Sequence, residues 1–148
     1  MEAVLKKLLK YSKFNELLPA LNINEIEKFE KSNHISLPND LIRLLKSFDG
    51  GEILIPGPVL FGLKDNPARK TIRDINSSAN RNKFSIPSNY LIIAKTNYGD
   101  YICIDLNSPY KVIQWAHEND ELYCDWNNLE EWLTDNIDSF EKYMEDKT

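Results

Sequence analysis

The chain has 148 residues, of which 42% are apolar and 28% charged, and its formal net charge is −5. This length and composition predict one compact domain over residues 1–148 and exclude wholesale disorder. No apolar run approaches the roughly 18–20 residues of a membrane span, and the lysine-rich start does not resemble a secretory signal. We therefore expect a soluble, cytoplasmic protein that does not bind membranes.

Charge is distributed unevenly along the chain. Residues 115–148 contain eleven acids and two lysines, a net charge of −9, whereas residues 64–83 form a basic stretch. An acidic C-terminal third favours a cationic partner. It argues against nucleic acid as a ligand, because binding to phosphates requires a basic face.

Three helical patterns occupy the first third of the chain. Residues 1–11 place their apolar side chains on one stripe, and Asn24 followed by Glu27 has the spacing of a capping box for a second helix. Leu37-Pro38 opens the strongest pattern, because proline is favoured in the first turn of a helix. Asp49-Gly50-Gly51 should end this third helix, since glycine adopts the left-handed conformation of a helix terminus.

Short apolar segments and one long helix follow. Two short strands are expected on either side of the turn Pro56-Gly57-Pro58, and a weak helix within the polar residues 66–84. From residue 90 onward, runs of β-branched and aromatic residues predict an antiparallel meander of three strands and a fourth short strand. A terminal helix capped by Asn127 or Asn128 follows. The strand segments are Ile53 to Ile55, Val59 to Phe61, Leu91 to Lys95, Tyr101 to Leu106, Lys111 to Trp115 and Leu122 to Cys124. The expected fold is a single α+β domain, with an antiparallel meander packed against N- and C-terminal helices.

Motifs for catalysis and cofactor binding are absent from the sequence. No glycine-rich phosphate loop occurs, and Cys103 lies in the middle of a predicted strand, which favours a structural thiol over a nucleophile. Asp100 and Asp105 flank the same strand and are more typical of turns than of a catalytic pair. Metal-ligand residue types do occur close together, but their spacing matches no known ligand pattern. They are His117, Glu118, Asp120, Cys124 and Asp125. We expect no catalytic residue, metal or cofactor, and hence no enzyme.

Aromatic residues among the acids suggest a protein-binding surface. Tyr and Trp rings supply contact area at interfaces, while carboxylates steer a cationic partner. Trp115 and Trp126 also have an alternative role as core residues between the sheet and the terminal helix. Tyr98, next to Gly99 in a predicted turn, is a candidate contact residue. The predicted partner-binding residues are Tyr98, Asp100, Glu118, Asp120, Glu121, Asp125 and Trp126.

The order and spacing of several short motifs resemble the SUKH superfamily (the Smi/Knr-like domain). These motifs are Leu37-Pro38, Asp49-Gly50-Gly51, Gly62, Tyr98-Gly99-Asp100, the segment Val112 to Glu118, and an acidic terminal helix bearing Trp and Phe. The resemblance covers residues 23–143. It implies a single α+β domain without a known catalytic centre. Bacterial members are associated with immunity proteins that neutralise a polymorphic toxin, and fungal members are regulators that act through protein partners.

Two functions therefore remain open. The favoured one is an immunity protein that binds and neutralises a cognate protein toxin, and the acidic segment suits a cationic toxin domain such as a nuclease. The alternative is an intracellular scaffold or regulatory protein-interaction module that neutralises nothing. The sequence does not fix the toxin's identity, the face that binds it, or the oligomeric state.

Overall fold

The computed structural model describes residues 1–108 and 110–147. Within these residues, six α-helices and seven strands follow one another, with a short 3-10 turn at Ser12–Phe14. The helices are α1 Glu2–Lys10, α2 Ile23–Asn33, α3 Asn39–Leu45, α4 Ile72–Ile75, α5 Ser78–Arg81 and α6 Leu129–Asp146. The strands are β1 Glu16–Leu17, β2 Gly51–Glu52, β3 Val59–Leu60, β4 Tyr90–Lys95, β5 Tyr101–Asp105, β6 Val112–Ala116 and β7 Glu121–Trp126.

All seven strands belong to one sheet and lie in sequence order, each antiparallel to the next. The predicted meander is confirmed and is larger than expected. The hairpin around Pro56-Gly57-Pro58 is also confirmed, but its first strand is β2 rather than Ile53 to Ile55. Leu54 has a left-handed φ of 51°, which removes that segment from extended conformation.

The helix boundaries correct two expectations. The capping box of α2 consists of Asn22 and Glu25, two residues before the predicted pair Asn24 and Glu27. Helix α3 ends at Leu45, earlier than expected, so the glycine pair is not its terminus. Instead Gly50, with a φ of 75°, turns the chain into β2, and a Cβ atom there would lie 2.5 Å from the carbonyl oxygen of Leu60. Glycine is thus required for strand packing at this point.

The core lies on both faces of the central strands. Ile92, Ile93, Ile102 and Cys103 are all fully buried, and consecutive strand residues point to opposite faces. Helix α6 contacts α1, α3 and β7, while α4 contacts β4. The rings of Tyr11 and Phe14 pack edge-on against Phe140 of α6, with centroids 5.1 and 5.0 Å away. The sheet is therefore packed against helices from both ends of the chain, and the expected α+β class is confirmed.

Candidate partner-binding surface

The acidic third of the chain forms the last strand of the sheet and the helix that follows it. Strand β7 carries Glu121 and Asp125 as exposed acids, and the turn before it carries the exposed Glu118. Asn128 accepts a hydrogen bond from the backbone N–H of Glu131 and so caps α6, which settles the choice between Asn127 and Asn128. We call β7, the β6–β7 turn and the first three turns of α6 the acidic surface.

Asp100 lies beneath this surface rather than on it. Only 7% of the residue is exposed, and its Oδ2 accepts a hydrogen bond of 2.8 Å from Nε2 of Gln114. Its Oδ1 accepts from the backbone N–H of His117 at 3.0 Å and also contacts Nδ1 of the His117 ring. Burial opposes ionisation, but these hydrogen bonds outweigh it and hold the pKa of Asp100 below its usual value. The carboxylate fixes the β4–β5 turn against β6.

Tyr98 is tied to the same network but faces outward. Nε2 of Gln114 donates to the Tyr98 hydroxyl at 2.9 Å, whereas 61% of Tyr98 is exposed. Gly99, with a φ of 102°, leaves room for the His117 ring, which would lie 3.2 Å from a Cβ at that position. The network therefore holds an exposed aromatic ring in a defined orientation.

Asp120 also has a structural role. It is half-buried in the β6–β7 turn, where its Oδ1 accepts from the backbone N–H of Ser85 at 2.8 Å and from Nε1 of Trp115 at 2.9 Å. These hydrogen bonds, that of Ser85 first, lower the pKa of Asp120. Trp115 is 7% exposed and belongs to the core, as its alternative role predicted. By contrast, Glu118 of this turn and Glu121 at the start of β7 face solvent.

Trp126 lies between two adjoining hollows of the surface. The first, of about 390 Å³, lies among the 54–58 loop, the β4–β5 turn and α6, and we call it the α6 cleft. The second is a wider, shallow hollow along the start of α6, lined by Glu130, Glu131 and Asp138. Trp126 and Asp135 line both hollows, and Nε1 of Trp126 donates to Oδ2 of Asp135 at 3.1 Å. Trp126 is thus partly exposed at the end of β7, beside the carboxylates of α6.

Several residues of this region escaped the sequence-based prediction. Asp135, Tyr143 and the loop Pro56-Gly57-Pro58 line the α6 cleft, although the sequence pointed to none of them as contacts. A signal was present for the helix, because Glu131, Asp135 and Asp138 recur at three- and four-residue intervals, the spacing of one helical face. The contribution of the loop depends on long-range packing that no local pattern encodes.

Reactive chemistry is unfavourable in the described part of the chain. Burial raises the pKa of the Cys103 thiol to about 12, and burial also raises the pKa of Cys124, so neither is an activated nucleophile. Among residues 1–108 and 110–147, no three His, Cys, Asp or Glu side chains lie close enough to hold a metal ion. No helix in those ranges combines the length and apolarity needed to cross a bilayer.

The basic stretch of residues 64–83 is largely engaged within the fold. Arg69 pairs with Glu16 at 3.4 Å, and Arg73 pairs with Asp65 at 2.9 Å. Arg81 donates to the Asn76 side chain and to the backbone carbonyls of Pro87 and Tyr90, and so ties α5 to β4. Intramolecular acceptors therefore occupy much of this positive charge.

Comparisons with known proteins agree with this architecture. A crystal structure of a protein from Pseudomonas syringae pv. tomato superposes with a TM-score of 0.70 at 16% sequence identity, covering 91% of this chain and 96% of that one. At this identity the likeness shows the fold alone. No curated protein matches the chain. The family model of the SMI1/KNR4 family (SUKH-1) matches residues 20–135, which is most of the sequence. The chain therefore belongs to the SMI1/KNR4 family, SUKH-1.

Proposed function

We propose that this protein is a cytoplasmic immunity protein that binds and neutralises a cognate polymorphic toxin through the acidic surface. The family supports this proposal, because SUKH proteins are commonly immunity proteins. The observation that carries it is the position of Trp126, partly exposed between two hollows that are lined by carboxylates of α6. Arg69 and Arg73 of the basic stretch are meanwhile paired with acids of this chain.

A surface of this kind suits a cationic partner such as a nuclease-type toxin domain. A toxin that acts on a polyanion carries a basic active site, and exposed carboxylates accelerate its encounter with the inhibitor by electrostatic steering. Aromatic rings then supply the anchoring area, because hot spots of interfaces are enriched in Trp and Tyr. Neutralisation in this scheme is occlusion of the toxin, and the protein itself performs no catalytic step.

The contact residues that we propose are a revised set. Glu118, Glu121, Asp125, Trp126 and Tyr98 face solvent or line a hollow and are direct contacts. Asp100 and Asp120 belong to the predicted set, but their carboxylates accept hydrogen bonds from within the fold. We assign these two residues the role of positioning the turns that carry the contacts.

Growth rescue tests the proposal. The experiment takes the C-terminal domain of the polymorphic toxin that this proposal expects beside the gene, and expresses it in a sensitive host, alone and together with this protein. We expect the wild-type chain to restore growth and the Glu118→Lys, Glu121→Lys variant to restore it less well. A matched control, Glu2→Lys with Glu27→Lys, changes the net charge equally at exposed positions on α1 and α2. Binding without any rescue would favour the scaffold alternative over an immunity protein.

A further inference from the structure

Strand β7 is an open edge of the sheet. It is last in the strand order, and within the described residues its backbone bonds to β6 alone. Its six residues span about 20 Å, whereas β1 at the opposite edge has two residues. Leu122 and Tyr123 are 45% and 69% exposed, so large apolar side chains accompany the open edge. Such an edge is a template for pairing with another extended chain.

The register shows which backbone groups of β7 point outward. The backbone groups of Lys111 point toward β5. Its carbonyl accepts a hydrogen bond from the Asp105 N–H, and its own N–H donates to the carbonyl of Ser108. The direction of the backbone N–H and carbonyl groups alternates along an antiparallel strand, so those of Val112 and Gln114 point toward β7. Their partners in the register are Trp126 and Cys124.

Asp125 lies between those two residues and opposite Ile113. Since Trp126 and Cys124 bond to β6, the N–H and carbonyl of Asp125 point away from the sheet. They are available to an added strand.

We propose that β7 receives an extended, basic segment of the partner protein as an eighth antiparallel or parallel strand. This inference rests on the proposed function and specifies how the toxin is held. The exposed Glu121 and Asp125 on the edge, with Glu118 beside it, would face lysine or arginine side chains of the added strand. Backbone hydrogen bonds would supply affinity, and these cross-strand charge pairs would supply selectivity.

The same charges disfavour a second copy of this chain as the occupant. Pairing two β7 edges would bring the acids of one copy against those of the other, and like charges on facing strands are destabilising. Tyr123 is absent from the β6 register and forms a bulge, a further device that limits indiscriminate edge pairing. A basic segment does not meet this charge repulsion.

The test uses a capped eight-residue peptide of alternating lysine and valine, and a second peptide of the same sequence that is N-methylated at every residue. The two peptides have the same charge, but N-methylation removes the donors needed for strand pairing. We expect the first peptide to slow hydrogen exchange at the Asp125 N–H of the full-length protein and the methylated peptide to leave it unchanged. Equal binding of both peptides, or exchange that stays unchanged, would overturn strand addition, and neither readout requires a variant to fold.

Two substitutions at one position separate backbone pairing from charge. Asp125→Asn and Asp125→Pro both remove the carboxylate and its 3.1 Å ion pair with Lys111, but only proline removes the outward N–H. Proline is tolerated on edge strands where its N–H side faces solvent, so β6 pairing is retained. We expect Asp125→Pro to bind the lysine–valine peptide about tenfold more weakly than Asp125→Asn, as loss of a backbone hydrogen bond implies.

The toxin domain used for growth rescue distinguishes this inference from the proposed function. Rescue that is equal for Asp125→Pro and Asp125→Asn would overturn strand addition and leave the immunity function standing. Absence of rescue by the wild-type chain would instead refute the immunity function, whatever the peptides show.

Discussion

Two buried carboxylates show how single residues position the loops around the sheet. Asp100 connects the β4–β5 turn to Gln114 and His117 of the next hairpin. Asp49 accepts the backbone N–H groups of Leu63 and Lys64 at 2.7 and 3.1 Å, and so holds the chain that follows β3. Their environments differ, since burial raises the pKa of Asp49 while hydrogen bonds lower that of Asp100 despite its burial.

Replacing Asp100 by asparagine should destabilise the protein by about 2 kcal/mol at neutral pH, because buried donors lose a charged acceptor. The folded-state pKa of Asp100 is below the ordinary value of 3.8. Its stabilising contribution is therefore present above that value and is lost as the pH falls through the lower folded-state pKa. Urea unfolding of wild type and Asp100→Asn between pH 7 and pH 3 should show the difference in unfolding free energy shrinking at the acidic end.

Asp49→Asn is the control for this prediction, because its stability relative to the wild type should change with pH in the opposite direction. The pKa of Asp49 is raised in the folded state, so its protonated form is the one that folding favours. The wild type should gain stability relative to Asp49→Asn as the pH falls through that raised value. The same dependence on pH for both variants would contradict our account of the two carboxylates.

At the level of elements, the long periodic segments and the short strand β3 were predictable, whereas β1 and β2 were not. Strands β4, β5 and β6 are continuous apolar runs, and α6 carries an apolar face over five turns. Strands β1 and β2 have two residues each, which is too few to show a period, and their pairing depends on chain segments more than 30 residues apart.

The candidate site was predictable in composition but not in detail. The sequence placed the acids and aromatics together, but the sheet register decides which of them is exposed. Trp115 pairs with Tyr101 within the sheet and is buried, whereas Trp126 ends the edge strand. Asp100 turns inward because Gln114 and His117 of β6 and its following turn approach it. These are tertiary effects that local patterns do not encode.

The capping of α6 provides a test at this scale. Asn128→Ala should lower the unfolding free energy by about 1 kcal/mol, because the N–H of Glu131 loses its acceptor at the helix start. Asn127→Ala removes instead an exposed side-chain hydrogen bond to the Glu131 carboxylate and should have a smaller effect. Thermal unfolding of both variants makes the comparison, and equal losses would show that the cap is shared between the two residues.

Across the whole molecule, arginines of the basic stretch are paired with acids, whereas part of the acidic surface has exposed carboxylates. The ion pairs of Arg69 and Arg73 place positive charge next to acids from other segments. By contrast, Glu118 and Glu121 face solvent on the β6–β7 turn and β7. Long-range attraction of a cationic partner therefore depends on these carboxylates more than on the net charge of −5.

Reversing the charge of Glu118 and Glu121 together should slow association with the toxin domain more than it speeds dissociation. The effect should shrink as salt is added, because the Debye length is about 8 Å at physiological ionic strength. Surface plasmon resonance over a series of salt concentrations measures both rates. Asp120 is unsuitable for this test because its reversal would break the hydrogen bonds to Ser85 and Trp115. An association rate insensitive to both reversal and salt would place the interface outside the acidic surface.

Trp126 should contribute to the lifetime of the complex rather than to its rate of formation. Its ring lies where the two hollows of the acidic surface meet, and Trp126→Ala should raise the dissociation rate at a cost of about 2 kcal/mol or more in binding free energy. Trp126→Phe retains an aromatic ring but loses the hydrogen bond to Asp135, so it should recover much of the lost lifetime. The association rate should change little in both variants because neither alters the charge. Dissociation kinetics of folded variants test this, and a wild-type rate for Trp126→Ala would exclude this ring as the anchor.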